Sequence, residues 1–280
     1  MTKVAVVTDS TAYLPQEIID KYGIHIVPLS VNFGSESYKE GLEISTKDFY
    51  LKLDQSERLP TTSQPSIGDF ITMYEELSKN HQEAIAIHLS SGISGTMNTS
   101  VVAAGMVEDI NIEVVDSEIA CYALGFMVIE AAKMADEGKR LQEIKERIEW
   151  IVKNMRGYFV VDDLAHLHRG GRLNAAQFLV GSMLKIKPIL YFNNKKLEPF
   201  EKVRTKKKAI GRILKLLNDD AKDGSFIKCS VVQANIIEEA EILKEKIEQK
   251  YPNVEVNISE FGPVIGTHTG PGTIGLVWYF

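Results

Sequence analysis

The chain has only two cysteines in 280 residues, Cys121 and Cys229, with neither CxxC spacing nor neighbours that would complete a zinc set. They read as small buried hydrophobes, and a reduced cytoplasm is the expected home. No run approaches the roughly 20 apolar residues that cross a bilayer, and Val4–Val7 is too short for a secretory signal core. Excess basic charge is missing too: 32 Lys and Arg against 38 Asp and Glu give a net charge of -6, which argues against gripping nucleic acid. There is also no long low-complexity linker, so parts of the chain are expected to share an interface.

What is present is ordinary globular material: 44% hydrophobic and 25% charged residues supply a core, and 280 residues suit two domains. The first half alternates strand and helix signals. Lys3–Val7, Ala84–Leu89 and Ile112–Val115 read as strands, and Ile24–Val31 as another that Pro28 demotes to an edge or a bulge. Pro15–Tyr22, Phe49–Leu53, Ile67–Leu77, Met97–Val107 and Ala123–Met134 read as helices, and Leu141, Ile144, Ile148 and Ile151 fall at helical spacing. Such alternation predicts a parallel sheet with helices on its faces.

The second half mixes a hairpin with helices. Tyr158–Val161 and Ser225–Gln233 read as strands, and Lys187–Phe192 and Lys196–Val203 as a hairpin around Asn193-Asn194. Lys206–Leu217 and Glu238–Lys250 are amphipathic helices, and Ala175–Met183 is expected to be helical. Strands at Val254–Glu260 and Ile274–Phe280 flank a Gly-rich loop, while 60–65 reads as a rigid polar loop. The expected fold is α/β: a parallel-sheet domain over residues 1–155 and an α+β domain over 156–280.

Three polar loops close predicted parallel strands: Asp9–Thr11, Ser90–Thr96 and Asp116-Ser117. That edge of an open α/β sheet is where ligands bind. In the middle loop, Gly92 and Gly95 let backbone approach a ligand, and a helix N-terminus follows. Ser90, Ser91, Ser94 and Thr96 add hydroxyls, beyond the single one a helix cap needs. The loop lacks the lysine of a nucleotide-binding P-loop, and no Mg²⁺ or ATP motif occurs elsewhere, so a singly charged carboxylate suits it better than a triphosphate.

A serine hydrolase is the alternative, with Ser94 as nucleophile, His268 as base and Asp9 or Asp116 orienting it. The nucleophile-elbow pattern GxSxG is broken, because Thr96 stands where its second glycine belongs. His166 and His168 lack the further ligands of a metal site. Arg169-Gly170-Gly171-Arg172 offers two forked donors to a phosphate or to a partner's carboxylates. Arg204, Lys206, Lys207, Lys208 and Arg212 form a second basic run that reads as a solvated face. The dense Gly266–Thr273 stretch reads as backbone packed on a ligand or as an interdomain turn.

These segments together resemble the DegV family. VVTDST, YGIHIVPL, TTSQPSIGDF, HLSSGISGT, VVDS, HRGGRLN, KPIL, KVRTKKKAI and PVIGTHTGPGTIGL run in order along the whole chain. The resemblance implies a lipid-binding protein of the kind that serves as the fatty-acid-binding subunit of bacterial fatty acid kinase, rather than an enzyme. It implies a long-chain fatty acid as ligand, with no other cofactor and no metal. The acyl tail would lie in an apolar tunnel of the first domain, its head group near the interdomain cleft.

By the same resemblance Thr62, Ser94, His268 and Thr269 hold the carboxylate, and Ser91, Gly95 and Thr96 complete the head-group loop. Arg169, Arg172 and Arg204 would face phosphate or the ATP-binding kinase subunit, and the acyl group would pass toward phospholipid synthesis. Transient contact with a membrane or an acyltransferase would follow. The chain departs from its relatives at Asn193-Asn194, where Asp-Gly is usual, and at Cys121-Tyr122, whose Tyr122 bears on chain-length preference.

Overall fold

The computed structural model describes residues 3–173 and 187–280, so the helix expected over Ala175–Met183 lies outside the described residues. In the first half β1 (Ala5–Asp9), β2 (His25–Val27), β6 (Glu83–His88) and β7 (Asn111–Asp116) form a parallel sheet in the order β2-β1-β6-β7. Side chains alternate across a strand, and the sequence exploits this. Ala84 and Ala86 face Phe70, Tyr74 and Ala103 on the helices Ile67–Ser78 and Thr96–Ala104. Ile85 and Ile87 face the opposite core, with Ala123 and Leu124 of helix Tyr122–Asp136 and Ile144 and Ile148 of Leu141–Asn154.

Pro28 does more than demote a strand. It ends β2, and the chain resumes as β3 (Ser30–Phe33) in a separate antiparallel sheet with β4 (Glu36–Lys39) and β5 (Thr61–Ser63). A proline supplies no N–H to a ladder, so the continuous strand predicted over Ile24–Val31 is split. The polar loop predicted over 60–65 contains β5, because Thr62 pairs with Val31.

The second sheet comprises β8 (Arg156–Val160), β9 (Ile189–Asn193), β10 (Lys196–Glu201), β11 (Ile227–Gln233), β12 (Val254–Glu260) and β13 (Ile274–Tyr279). Its order is β10-β9-β8-β13-β11-β12, with only β11 and β12 parallel. The outer face carries helices Lys206–Ala221 and Ile237–Lys250, whose Ile213, Leu217, Leu243 and Ile247 pack with Trp278. The inner face places Phe159, Leu190, Val232 and Val277 in the same core as helix Tyr122–Asp136. The mixed α/β architecture read from the sequence is the one observed. Among the described residues no helix is long and apolar enough to cross a membrane.

One element was hidden. The Gly-rich stretch after β12 contains a helix, Pro263–Thr269, buried along its length. Its glycines are there for clearance: a Cβ on Gly266 would lie 2.7 Å from the Tyr50 hydroxyl, and one on Gly262 2.3 Å from the Tyr13 ring. Glu40 accepts hydrogen bonds from Val264 N (2.7 Å) and the Tyr13 hydroxyl (3.0 Å), and Tyr50 donates to the Phe261 carbonyl (2.8 Å). The first domain therefore grips this helix from its N-terminal end.

Candidate functional site

Where β5 and the loops after β6 and β7 meet the inner face of the six-stranded sheet lies a mostly apolar cavity of about 360 Å³, within the range of small-molecule sites. Leu29, Leu89, Ile119 and Cys121 line it from the first half, and Phe159, Phe192, Leu197 and Val277 from the second. The resemblance implies a tunnel in the first domain, whereas this cavity is lined from both halves of the chain. The inner face of the second sheet is apolar and makes one wall, so the space is shared. Tyr122 is not among the lining residues; it packs on Phe126, with ring centroids 5.0 Å apart.

Polar groups gather at Thr62, Gln64, Ser94, Arg172, His268 and Thr269, all of which line the cavity. β5 presents Thr62, whose Oγ1 lies 2.8 Å from His268 Nε2 on helix Pro263–Thr269. Ser94 ends the strand-to-helix loop; its hydroxyl lies 2.9 Å from Thr96 Oγ1 and accepts from Thr96 N at 3.3 Å. Thr96 is fully buried at the start of its helix and does not line the cavity, whereas Gly95 does. A Cβ on Gly95 would lie 2.1 Å from Gln64 Oε1 and would push that exposed side chain aside. Thr269 donates its hydroxyl to the Ile265 carbonyl, as buried helix threonines do.

Arg172 lines the cavity while Arg169, three residues earlier, is exposed at the end of helix Leu164–Arg169. The Arg172 guanidinium donates to the carbonyls of Ile93 (3.2 Å) and Gly170, and no carboxylate among the described residues forms an ion pair with it. Burial lowers its pKa from the ordinary arginine value, yet guanidinium remains a cation in proteins. His268 is 8% exposed. Burial first, then the nearby Arg172 charge and His166, pushes its pKa down to about 3, so it is neutral at ordinary pH. Its Nδ1 has no hydrogen-bond partner and abuts Gly170, where a Cβ would lie 2.2 Å away.

Among the described residues the lining contains one cation, several hydroxyls and no Asp or Glu. A mostly apolar cavity with such a polar group suits an amphiphile carrying one negative charge. It does not assemble the hydrolase. Ser94 pairs with Thr96 and His268 with Thr62, and no hydrogen bond joins Ser94 to His268. Asp9 is taken up by Thr11, Leu89 N and His88 Nδ1 (3.1 Å), and Asp116 by Ser91 and Lys195.

The remaining predicted residues lie elsewhere. Ser91 does not line the cavity; its hydroxyl donates to Asp116 at 2.5 Å, part of a contact between loops rather than a head-group site. Arg204 is exposed ahead of helix Lys206–Ala221 and, like Arg169, does not line the cavity. Among the described residues, no group of three or more His, Cys, Asp or Glu side chains is placed to hold a metal, so His166 and His168 gain no further ligands. Gln64 and Cys121 line the cavity without having been singled out as site residues. Gln64 had a signal, since it sits two residues after Thr62 on the same short segment.

The family model described as "uncharacterised protein, DegV family" matches residues 3–280. Protein DegV of Bacillus subtilis is 50% identical over 278 residues, covering 99% of both chains. A crystal structure of DegV from Bacillus subtilis, a fatty acid binding protein, superposes with a TM-score of 0.95 at 49% identity over 100% of both chains. A fatty-acid-binding DegV family protein from Thermus thermophilus matches with a TM-score of 0.93 at 32% identity, covering 100% of this chain and 99% of its own.

Proposed function

The chain belongs to the DegV family, and we propose that it binds a long-chain fatty acid in the cavity lined by both halves of the chain. The observation that carries this reading is Arg172, a cation with no carboxylate partner among the described residues, in the lining of a mostly apolar cavity of about 360 Å³. The carboxylate lies at the Thr62, Ser94 and Arg172 end, with His268 and Thr269 behind it. The tail runs along Ile119, Phe159 and Val277. Each buried methylene contributes about 0.8 kcal/mol before ordering costs, so the tail supplies affinity and the polar end orientation.

The protein is then a carrier rather than an enzyme, working in the cytoplasm. A carboxylate held at an accessible rim is a substrate that a separate ATP-binding kinase subunit can phosphorylate, with the acyl phosphate passed on toward phospholipid synthesis. Exposed Arg169 and Arg204 are available to that partner or to the phosphate. Native mass spectrometry of the purified protein tests the class of ligand, and a bound mass matching a fatty acid is expected. Titration of delipidated protein then tests the clamp: Thr62→Ala and Ser94→Ala should each weaken binding about 10- to 100-fold, the usual worth of a hydrogen bond to a charged group. Unchanged affinity in both variants would remove these residues from the site.

A further inference from the structure

The hairpin β9–β10 overhangs its own sheet. β9 pairs with β8 only over Ile189–Tyr191, and β10 is the edge strand, so from Phe192 outward the hairpin ladder is its only sheet pairing. The turn is Asn194-Lys195, one residue later than the sequence pattern predicts, with φ of 48° and 70°. Two consecutive left-handed residues are the geometry of a tight two-residue hairpin, which makes the tip a stiff unit. Phe192 and Leu197 are cross-strand partners on this hairpin, and both line the cavity.

The first domain catches the tip. The Ser90 hydroxyl donates to the Lys195 carbonyl at 2.7 Å. Lys195 Nζ lies 3.0 Å from Asp116 Oδ2 and 3.6 Å from Glu118 Oε1. Gly92 leaves the space for this contact, since a Cβ there would lie 2.2 Å from the Lys195 carbonyl oxygen. Ser90 also shapes the loop that carries Ser94. Its hydroxyl accepts from Gly92 N at 3.2 Å, and its carbonyl accepts from the N–H groups of Ile93 and Ser94, each at 3.2 Å. The residue that holds the tip is thus the one that sets the loop.

We propose that the Asn194-Lys195 tip is a latch: seated, it positions the Ser94 loop and closes one wall of the cavity, and released, it moves Phe192 and Leu197 aside for ligand exchange. Lys195 and Ser90 are positioning residues in this scheme and need not touch the ligand. Release costs few sheet hydrogen bonds, because the moving part has no neighbour in the sheet beyond Tyr191. The inference rests on the fatty-acid reading above.

Stopped-flow measurement with a fluorescent polyene fatty acid tests it on the full-length protein. Lys195→Ala removes two ion pairs of a partly exposed lysine, one to the largely buried Asp116 and one to the exposed Glu118 side chain, and should raise both association and dissociation rates roughly two- to fivefold, with the dissociation constant nearly unchanged. Gly92→Ala, which drives the tip off its seat, should raise them further and expose the 189–201 amides to hydrogen exchange. If Gly92→Ala fails to fold, Lys195→Ala and Ser90→Ala still decide. Exchange rates equal to wild type in both, or a change in the dissociation constant with no faster association, overturn the latch. Failure of the wild-type protein to bind any fatty acid would instead overturn the reading on which it rests.

Discussion

The Thr62 hydroxyl lies 2.8 Å from His268 Nε2, joining a three-residue edge strand of the first domain to a seven-residue helix 206 positions later. Because burial, Arg172 and His166 hold the His268 pKa at about 3, this contact involves a neutral imidazole. Among the described residues, the positive charge at the polar end of the cavity is that of Arg172.

That depressed pKa has a consequence for stability. An exposed histidine takes up a proton near 6.5, while folded His268 stays neutral down to about 3. Between those values the unfolded chain binds the extra proton, so this contribution is fully present above pH 6.5 and lost as pH falls. Between pH 7 and 5 it amounts to about 2 kcal/mol. His268→Gln should remove that loss, and urea unfolding at the two pH values measures it.

Glu40 acts in the opposite direction. Burial, opposed by its bonds from Ser10, Val264 N and Tyr13, raises its pKa to about 7, from an ordinary 4.5. Its stabilisation is therefore full below pH 4.5 and lost as pH rises through 7. The two groups offset each other between pH 5 and 7, each by about 2 kcal/mol. Wild-type stability attributable to them should be nearly flat there. Glu40→Gln should be less stable at pH 5 than at pH 7, and His268→Gln the reverse. Parallel slopes in the two variants would refute both assignments.

Arg172 can be tested by charge alone. Arg172→Met keeps much of the side chain's volume and removes the cation. Fatty-acid affinity should fall about 10- to 100-fold, the worth of a hydrogen bond to a charged group. Binding of the matching fatty alcohol should stay within about twofold, because only the head group's charge differs. Calorimetric titration of both ligands distinguishes a charge effect from a damaged cavity, which would weaken both.

Gly95 and Gln64 form a coupled pair. Gly95→Ala puts a Cβ 2.1 Å from Gln64 Oε1 and must displace a side chain that donates to Thr99 Oγ1 at 2.7 Å. The expected cost is about 1 kcal/mol of stability, the worth of that hydrogen bond, because the exposed Gln64 side chain can otherwise swing aside. Gln64→Ala in the same chain should then add little to it. Thermal unfolding of the four-member cycle gives the coupling, and additive losses would rule out the steric explanation.

Much of the fold was legible because burial writes itself into local periodicity. Ala84, Ile85, Ala86 and Ile87 alternate small and large, and the structure uses the small pair under two helices and the large pair in the main core. The helix Pro263–Thr269 was not legible. Glycine, proline and threonine are weak helix formers, and what stabilises this turn is distant: Glu40, Tyr13 and Tyr50 accept or pack against it from more than 200 residues away. β5 was hidden for the same reason, since Thr61–Ser63 becomes a strand only by pairing with β3.

The sequence alone determined the element types, the mixed α/β class and the Ser/Gly loop at the end of β6, because each depends on neighbours within a turn or a strand. Tertiary structure decided which of those polar residues share a space. It put Arg172 in the cavity and left Arg169 exposed, bonded Ser91 to Asp116, and set His268 against Thr62. The cavity itself belongs to neither half of the chain. It exists because β5 and the loops after β6 and β7 meet the apolar inner face of the six-stranded sheet and helix Pro263–Thr269, and no local pattern encodes a gap between elements so far apart in sequence.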